Sequence, residues 1–409
     1  KASSVLNLVL IDCHDLGRHL GAYGQATVPS PQLDRLAAAG VRFASSFSTA
    51  PQCSPSRAAL YTGRYPHANG MFGLAHAPFN WRLHAGETHL ARLLRDAGYW
   101  TVLVGVQHVT AWQEDAVAEL GFAESRRAQN ARHTADQAID FLDDAPREPF
   151  FLNIGFDEPH RDGHGAYKQA PADRSQGVAI PPYLPQTPEA DGEFADLQGV
   201  IGALDEAIGR VWAKLEEAGL MERTWFIFTT DHGLAMPRAK CTLFDPGIET
   251  ALIMLAPALG LTGGRVIDEL ISHVDLVPTV AEILGMPTPA GVQGQSFAPL
   301  LQGAAYSARE EIFAEKTFHT AYEPQRAIRT HRYKLIWNVE ASIINVPADV
   351  MKSPLYPQMI GEITRERPPF ELYDVVVDPL ERVNLTEDSD YASVFADLKR
   401  RLLCGMEET

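Results

Sequence analysis

Four compact apolar runs, at residues 6–12, 150–156, 225–230 and 251–256, each stop at polar or Gly/Pro residues, and they constrain the fold more than any other feature of the chain. A strand with one solvated face alternates apolar with polar, so short continuous apolar runs read as central strands buried on both faces. Amphipathic patterns suited to helices lie between and beside them, at 30–39, 87–97, 131–143, 194–218 and 273–284. Strand and helix alternate, which predicts an α/β architecture with helices covering a mostly parallel sheet. Polar clusters at 12–15, 157–160 and 231–232 each follow an apolar run. In such sheets ligands gather at the carboxyl ends of strands, so these clusters are expected to converge.

Composition changes after about residue 305. Residues 311–315, 327–337 and 370–374 read as strands of a smaller sheet and 391–403 as a closing helix, which divides the chain into 1–305 and 306–409. Between those strands, 340–369 carries five prolines and little periodicity, and reads as an excursion over the surface or toward the site. A 409-residue chain with 45% hydrophobic content can bury a substantial core. Its net charge of −17, without a Lys/Arg run, argues against nucleic acid as a partner and requires that any anionic substrate be attracted locally. The apolar runs are far too short to span a membrane. Cysteines 13, 53, 241 and 404 are scattered, which predicts no disulfide framework. The chain opens at Lys1 without a Met or an apolar leader, leaving the compartment open, as is the oligomeric state.

The most informative short segment is Cys53-Ser54-Pro55-Ser56-Arg57, followed by Ala58-Ala59-Leu60-Tyr61-Thr62-Gly63. Pro55 suits the first turn of a helix that begins just after Cys53, which puts residue 53 at a helix N-terminus. Free N–H groups and the helix dipole favour an anion there, and Arg57 adds a permanent cation with a fork of donors. A tetrahedral oxyanion would be held well. A bare thiol at such a place reads equally as an activated thiolate nucleophile or as an inert buried cysteine.

This run resembles the signature that directs oxidation of cysteine to formylglycine in type I sulfatases of the alkaline phosphatase superfamily. The similarity extends through Arg64-Tyr65-Pro66-His67 to Arg329-Thr330-His331-Arg332-Tyr333-Lys334-Leu335, Glu371-Leu372-Tyr373-Asp374, Asp378-Pro379 and Asn384-Leu385. Asn69-Gly70-Met71, Gly73-Leu74 and Pro159-His160-Arg161 with Gly163-His164 are similar to the sulfamidase-like members. The resemblance implies an alkaline-phosphatase-like sandwich: a large mixed, mostly parallel central sheet flanked by helices, plus a smaller C-terminal antiparallel sheet.

It also implies a formylglycine made from Cys53 by a formylglycine-generating enzyme, and one divalent metal held by His14, Asp15, residue 53, Asp231 and His232, with Asp12 as a spare carboxylate. Calcium ranks first among ions for such oxygen ligands, with magnesium beside it; two histidines bring manganese and zinc into consideration. Arg57 and Lys240 would neutralise the sulfuryl oxygens, His108 would take the proton of the attacking hydroxyl, and His160 or Asp157 would protonate the leaving group. Two family contacts differ: Val106 stands where a Lys is usual, in Gly105-Val106-Gln107-His108, and Asp157 where many members carry His. The implied substrate is a sulfate ester or sulfamate on a sugar or oligosaccharide, read by His164, His319 and Arg326 together with Glu315-Lys316, unless these last form only a solvated charged face. A formylglycine-dependent phosphonate monoester or phosphodiester hydrolase is the second reading. A sugar-binding relic without turnover is a third, disfavoured because it would not need the modification signal.

Overall fold

Asn7–Cys13 runs through the middle of an eight-stranded sheet, with Phe150–Phe156 parallel on one side and Thr224–Thr230 parallel on the other. Every residue of these three strands is buried, which is why each reads as an unbroken apolar run. The structure, a computed structural model, describes residues 6–144, 146–340 and 346–409; the chain start before Leu6 and residues 341–345 of the expected excursion lie outside them. Across the sheet the order is Arg265–Ile267, Val41–Phe43, Leu252–Leu255, Thr224–Thr230, Asn7–Cys13, Phe150–Phe156, Trp100–Gly105 and Glu124–Arg126. Among the described strands of this sheet only Leu252–Leu255 runs against the rest. The sheet is mixed and mostly parallel, as expected, and its edges are short.

Helices cover both faces. Pro31–Ala39, Ala131–Asp143 and the 30-residue Pro188–Glu217 pack on one side; Cys53–Thr62, Leu90–Asp96 and Leu276–Ile283 pack on the other. Pro188–Glu217 begins six residues before the amphipathic pattern did, because Thr187 accepts from the Ala190 N–H, Pro188 opens the first turn, and Glu189 and Asp191 suit its dipole.

The C-terminal part is a four-stranded antiparallel sheet, Glu311–Phe318, Tyr322–Thr330, Tyr333–Asn338 and Phe370–Asp374, closed by the helix Ala392–Glu408. The stretch 327–337 proves to be two strands joined by a turn at His331-Arg332. Ile312, Ile336 and Tyr373 of this sheet pack against Phe47, Leu243 and Phe244 of the larger part. Lys334 adds buried ion pairs to Asp245 at 2.5 Å and Glu381 at 2.7 Å. The described part of the excursion forms helices Ala348–Met351 and Tyr356–Ile363 and turns inward. No helix among the described residues is long and apolar enough to cross a membrane.

Candidate active site

The helix carrying the cysteine begins at Cys53 itself, with Gln52 extended before it and Gly63 closing it in the left-handed region at φ 68°. All ten of its residues are buried. The residues that follow the thiol therefore do structural work as well: Arg57 pairs with Asp12 and Asp231, the Tyr61 hydroxyl donates to Asp12, and Asn69 donates to the Thr62 hydroxyl at 3.3 Å.

Three strand ends meet this helix. After Cys13 the chain turns at Asp15, whose φ of 53° is a left-handed conformation that Asp tolerates better than most residues. The Asp231 N–H donates to the Cys13 carbonyl at 3.1 Å, locking the second strand end to the first. Gly155 and Val106 cross so closely that a Cβ on Gly155 would lie 1.7 Å from the Val106 oxygen. That contact lies at the carboxyl end of Trp100–Gly105, where the chain turns toward His108, itself left-handed at φ 54°.

Asp231 is the hub. Its Oδ1 accepts from the backbone of Asp15 at 3.0 Å and of His232 at 2.8 Å; its Oδ2 lies 3.1 Å from His14 Nδ1 and 3.3 Å from Arg57 Nε. His232 Nδ1 lies 2.9 Å from the Gly233 carbonyl, which assigns its proton to Nδ1 and leaves a lone pair on Nε2. That Nε2 stands 3.3 Å from Cys53 Sγ and 3.2 Å from Asp15 Oδ1. Ligand atoms of His14, Asp15, Cys53 and Asp231 all lie within 4.8 Å of one another. His14 Nε2 and Asp15 Oδ1 are buried without a hydrogen-bond partner, a costly arrangement that a cation would relieve. The residues present thus fit a divalent ion. Asp12 does not join them, contrary to expectation: one of its oxygens is held by Arg57 and the other by Tyr61.

Burial alone would raise the Asp231 carboxyl, but His232, His14 and Arg57 outweigh it and hold it well below the usual range. Asp15 behaves likewise, with Lys240, His160 and His232 overcoming its burial. Cys53 goes the other way. Burial pushes its thiol well above the ordinary value and the Asp231 and Asp15 carboxylates add to this, so Lys240 and Arg57 do not produce the activated thiolate that a helix terminus suggested. Lys240 donates to Asp15 Oδ2 at 2.9 Å and to Asp349 Oδ2 at 2.7 Å, and these carboxylates overcome burial to keep it an ammonium. Burial, with His14 and Arg57 beside it, holds the His108 imidazole well below its usual value and therefore neutral.

His160 Nε2 lies 3.7 Å from Asp15 and 3.8 Å from Asp349, its Nδ1 being 2.8 Å from the Arg161 carbonyl. His319, buried next in chain to Phe318, is pushed down to about 3 by burial and by Lys240. Three expected residues are not brought in. The Asp157 side chain is exposed at its strand end, and His164 is exposed in the loop beyond. Arg326 lies 3.3 Å from Glu315, donates to the Lys316 and Gln325 carbonyls, and lines a separate small cavity with Tyr65 and His67. Glu315 is further held by His67 at 2.8 Å, and Lys316 is buried between the Cys241 carbonyl and Glu323. Two residues unmarked by any sequence signal do arrive: Asp349, and His76, whose Nδ1 is 2.9 Å from His108 Nε2.

A mostly parallel sheet whose strand ends deliver carboxylates, imidazoles, Arg and Lys to a buried helix-terminal cysteine defines an alkaline-phosphatase-like hydrolase. The Sulfatase family model matches residues 7–286 and the N-sulphoglucosamine sulphohydrolase C-terminal model residues 232–354, so the chain belongs to the sulfatase family. Members of this family generally use a formylglycine and a divalent metal. Human N-sulphoglucosamine sulphohydrolase is 27% identical, over 98% of this chain and 90% of that protein. Many solved structures share the fold, among them two enzymes. One, in complex with its substrate D-glucosamine-2-N,6-O-disulfate, has a TM-score of 0.74 at 17% identity, covering 99% of this chain and 98% of its own. The other, phosphonate monoester hydrolase of Agrobacterium radiobacter, has a TM-score of 0.74 at 21% identity, covering 98% and 96%.

Proposed function

We propose that the protein hydrolyses a sulfate ester or sulfamate on an amino sugar, with residue 53 as formylglycine and one divalent cation held by His14, Asp15, residue 53, Asp231 and His232. The observation that carries this reading is the convergence of His14, Asp15 and Asp231 on a buried Cys53, with unpartnered atoms on His14 and Asp15. When bound, the cation and the modified residue supply positive charge and a hydroxyl nucleophile. Calcium stands first on the two carboxylates, manganese or zinc next on the imidazoles.

The chain's own residues do the rest. Arg57 Nη2, buried and unpartnered, has a donor to give to a sulfuryl oxygen, and Lys240 supplies a second fixed cation. Neutral His108 is in the form that accepts a proton. His160 is our leaving-group acid, because it lies at the centre while Asp157 faces solvent. His319 is the residue we assign to sugar binding, and Asp349 adds a hydroxyl or amine acceptor. The relative named for sulphoglucosamine and the fold neighbour bound to a glucosamine disulfate support an amino-sugar substrate. We divide the chain at 305/306 into the catalytic part and a C-terminal part that closes the pocket.

Val106 at a position where sulfatases carry Lys, together with the phosphonate monoester hydrolase neighbour, keeps one second reading, a phosphonate or phosphodiester hydrolase. The test is a panel of N-sulfoglucosamine, sugar sulfate esters and phosphonate esters, using protein matured with a formylglycine-generating enzyme and checked by mass spectrometry at residue 53. Fastest turnover on a sulfated amino sugar is the expected result; faster turnover on phosphonates overturns it.

A further inference from the structure

A cavity of 170 Å³ lies between the loop that carries Lys240, the inward-turned segment around Val350 and Ile363, and the strand Phe370–Asp374. Phe244, Val350, Ile363 and Tyr373 form its buried apolar walls. Four arginines and Lys240 line it against four glutamates, in a chain whose net charge is −17. One of these arginines is buried without an answer. Arg367 is 7% exposed, and neither Nη1 nor Nη2 has a hydrogen-bond partner. Its nearest carboxylate, Glu371, is 3.9 Å from Nε, and the Glu371 oxygens already accept from Asn338 at 2.8 Å and Tyr373 at 2.6 Å.

Arg238 beside it differs at the fork: Nη1 donates to Glu362 at 2.6 Å and Nη2 to the Leu380 carbonyl at 2.8 Å, which leaves only its Nε without a partner. Both guanidiniums lie over the Phe244 ring, at 4.2 Å for Arg238 and 5.2 Å for Arg367. Stacking of this kind engages the face of the cation and leaves its N–H edge free. A buried cation with a free donor edge is strongly disfavoured unless an acceptor is supplied, and a guanidinium fork matches the paired oxygens of a carboxylate or sulfate.

We propose that this cavity is a binding site for a small oxyanion, a sulfate or carboxylate group held by the Arg367 fork and distinct from the site around Cys53. Its volume is many times the roughly 10–15 Å³ that one ordered water requires, and it suits an oxyanion with a compact organic body. The site stands whether or not the substrate reading above does. Lys240 is common to both places, and Val350 follows Asp349 in the chain.

The test is a pair of thermal-shift titrations of the metal-loaded enzyme, with sodium sulfate and with sodium acetate at ionic strength held constant by sodium chloride. Wild type, Arg367→Met and Arg367→Lys are compared, and wild-type crystals are soaked in selenate. Wild type should show a saturable rise in melting temperature, at least tenfold weaker in apparent affinity in Arg367→Lys, which keeps charge and stem but loses the fork. A stronger response to sulfate assigns the tetrahedral group, and one to acetate the carboxylate. The anomalous selenate peak should lie within hydrogen-bond distance of Arg367 if the tetrahedral group is bound. The proposal is overturned by no saturable response of wild type to either anion, or by equal responses in wild type and Arg367→Lys. A sulfate response whose selenate peak lies only at the Cys53 centre overturns it as well. Should Arg367→Met fail to fold, Arg367→Lys alone decides.

Discussion

Asp12→Asn removes a charge from behind the active site while keeping the side chain's shape. Asp12, Arg57 and Tyr61 are all fully buried; Arg57 bonds one Asp12 oxygen and Tyr61 the other. The amide accepts at only one of these positions and turns a donor toward the other, so one donor is orphaned as well as a charge lost. Removing one member of a buried pair costs ~3–5 kcal/mol, and because Asp231 still lies 3.3 Å from Arg57 Nε the lower end applies, ~3 kcal/mol or roughly a hundredfold in the folding equilibrium. At an m of ~3 kcal/mol/M in urea the unfolding midpoint of the metal-loaded protein should fall by ~1 M with m unchanged. Turnover should fall at least tenfold, since Arg57 relaxes away from the position that Asp12 and Asp231 set together. A midpoint shift below ~0.3 M, which is what an exposed ion pair would give, refutes the claim that this network holds Arg57.

Chelation followed by dialysis should abolish turnover, and Asp231→Ala should lower both bound metal by elemental analysis and turnover; full activity without a stoichiometric ion would remove the metal from the reading. Asp157→Asn should change turnover less than twofold, because the side chain is exposed, whereas His160→Gln should lose roughly a hundredfold on substrates with poor leaving groups and much less on good ones. Equal losses for His160→Gln across leaving groups would deny it the acid role. His89 is held down to about 3 by burial, and its Nδ1 accepts from the Ala91 N–H at the start of Leu90–Asp96. The unfolded chain takes up this proton first, so stability should be full above the ordinary histidine value of ~6.5 and fall as pH drops from there toward 3. His89→Asn, which keeps a cap acceptor, should reduce the slope of that acid limb by about one proton in urea titrations, the limb's remainder belonging to His19, His273 and His319, which burial also holds down; an unchanged slope would refute the assignment.

What could be read in the sequence and what could not divides along physical lines. The central strands were legible because both of their faces are buried, and Phe150–Phe156 falls on the expected boundaries. Edge strands such as Glu124–Arg126 are three residues long and half exposed, so no apolar run marks them. The reversed direction of Leu252–Leu255 was hidden for another reason: an apolar run shows burial and says nothing of pairing direction. In the site, the strand-end rule brought His14, Asp15, Asp231 and His232 to Cys53 because backbone geometry alone places them.

Residues placed by tertiary packing escaped that rule. Asp349 reaches Lys240 across 109 positions, and the prolines of 340–369 signalled an excursion without saying which residue it would deliver. Arg326 failed differently. Alternation puts Glu315 and Lys316 on opposite faces, and the sheet register sets Glu315 directly opposite Arg326, so the two charges satisfy each other instead of a sugar. The bare thiolate failed on magnitude: a helix terminus contributes about half a charge, which does not offset complete burial beside two carboxylates. A protonated, buried Cys53 is thus a weak nucleophile as it stands, while the same position among His14, Asp15, Asp231 and Arg57 is dense in groups whose chemistry suits a cation and an oxyanion. The proposed conversion of the thiol to an aldehyde, whose hydrate presents hydroxyls where the sulfur was, would resolve this mismatch between an inert side chain and its surroundings.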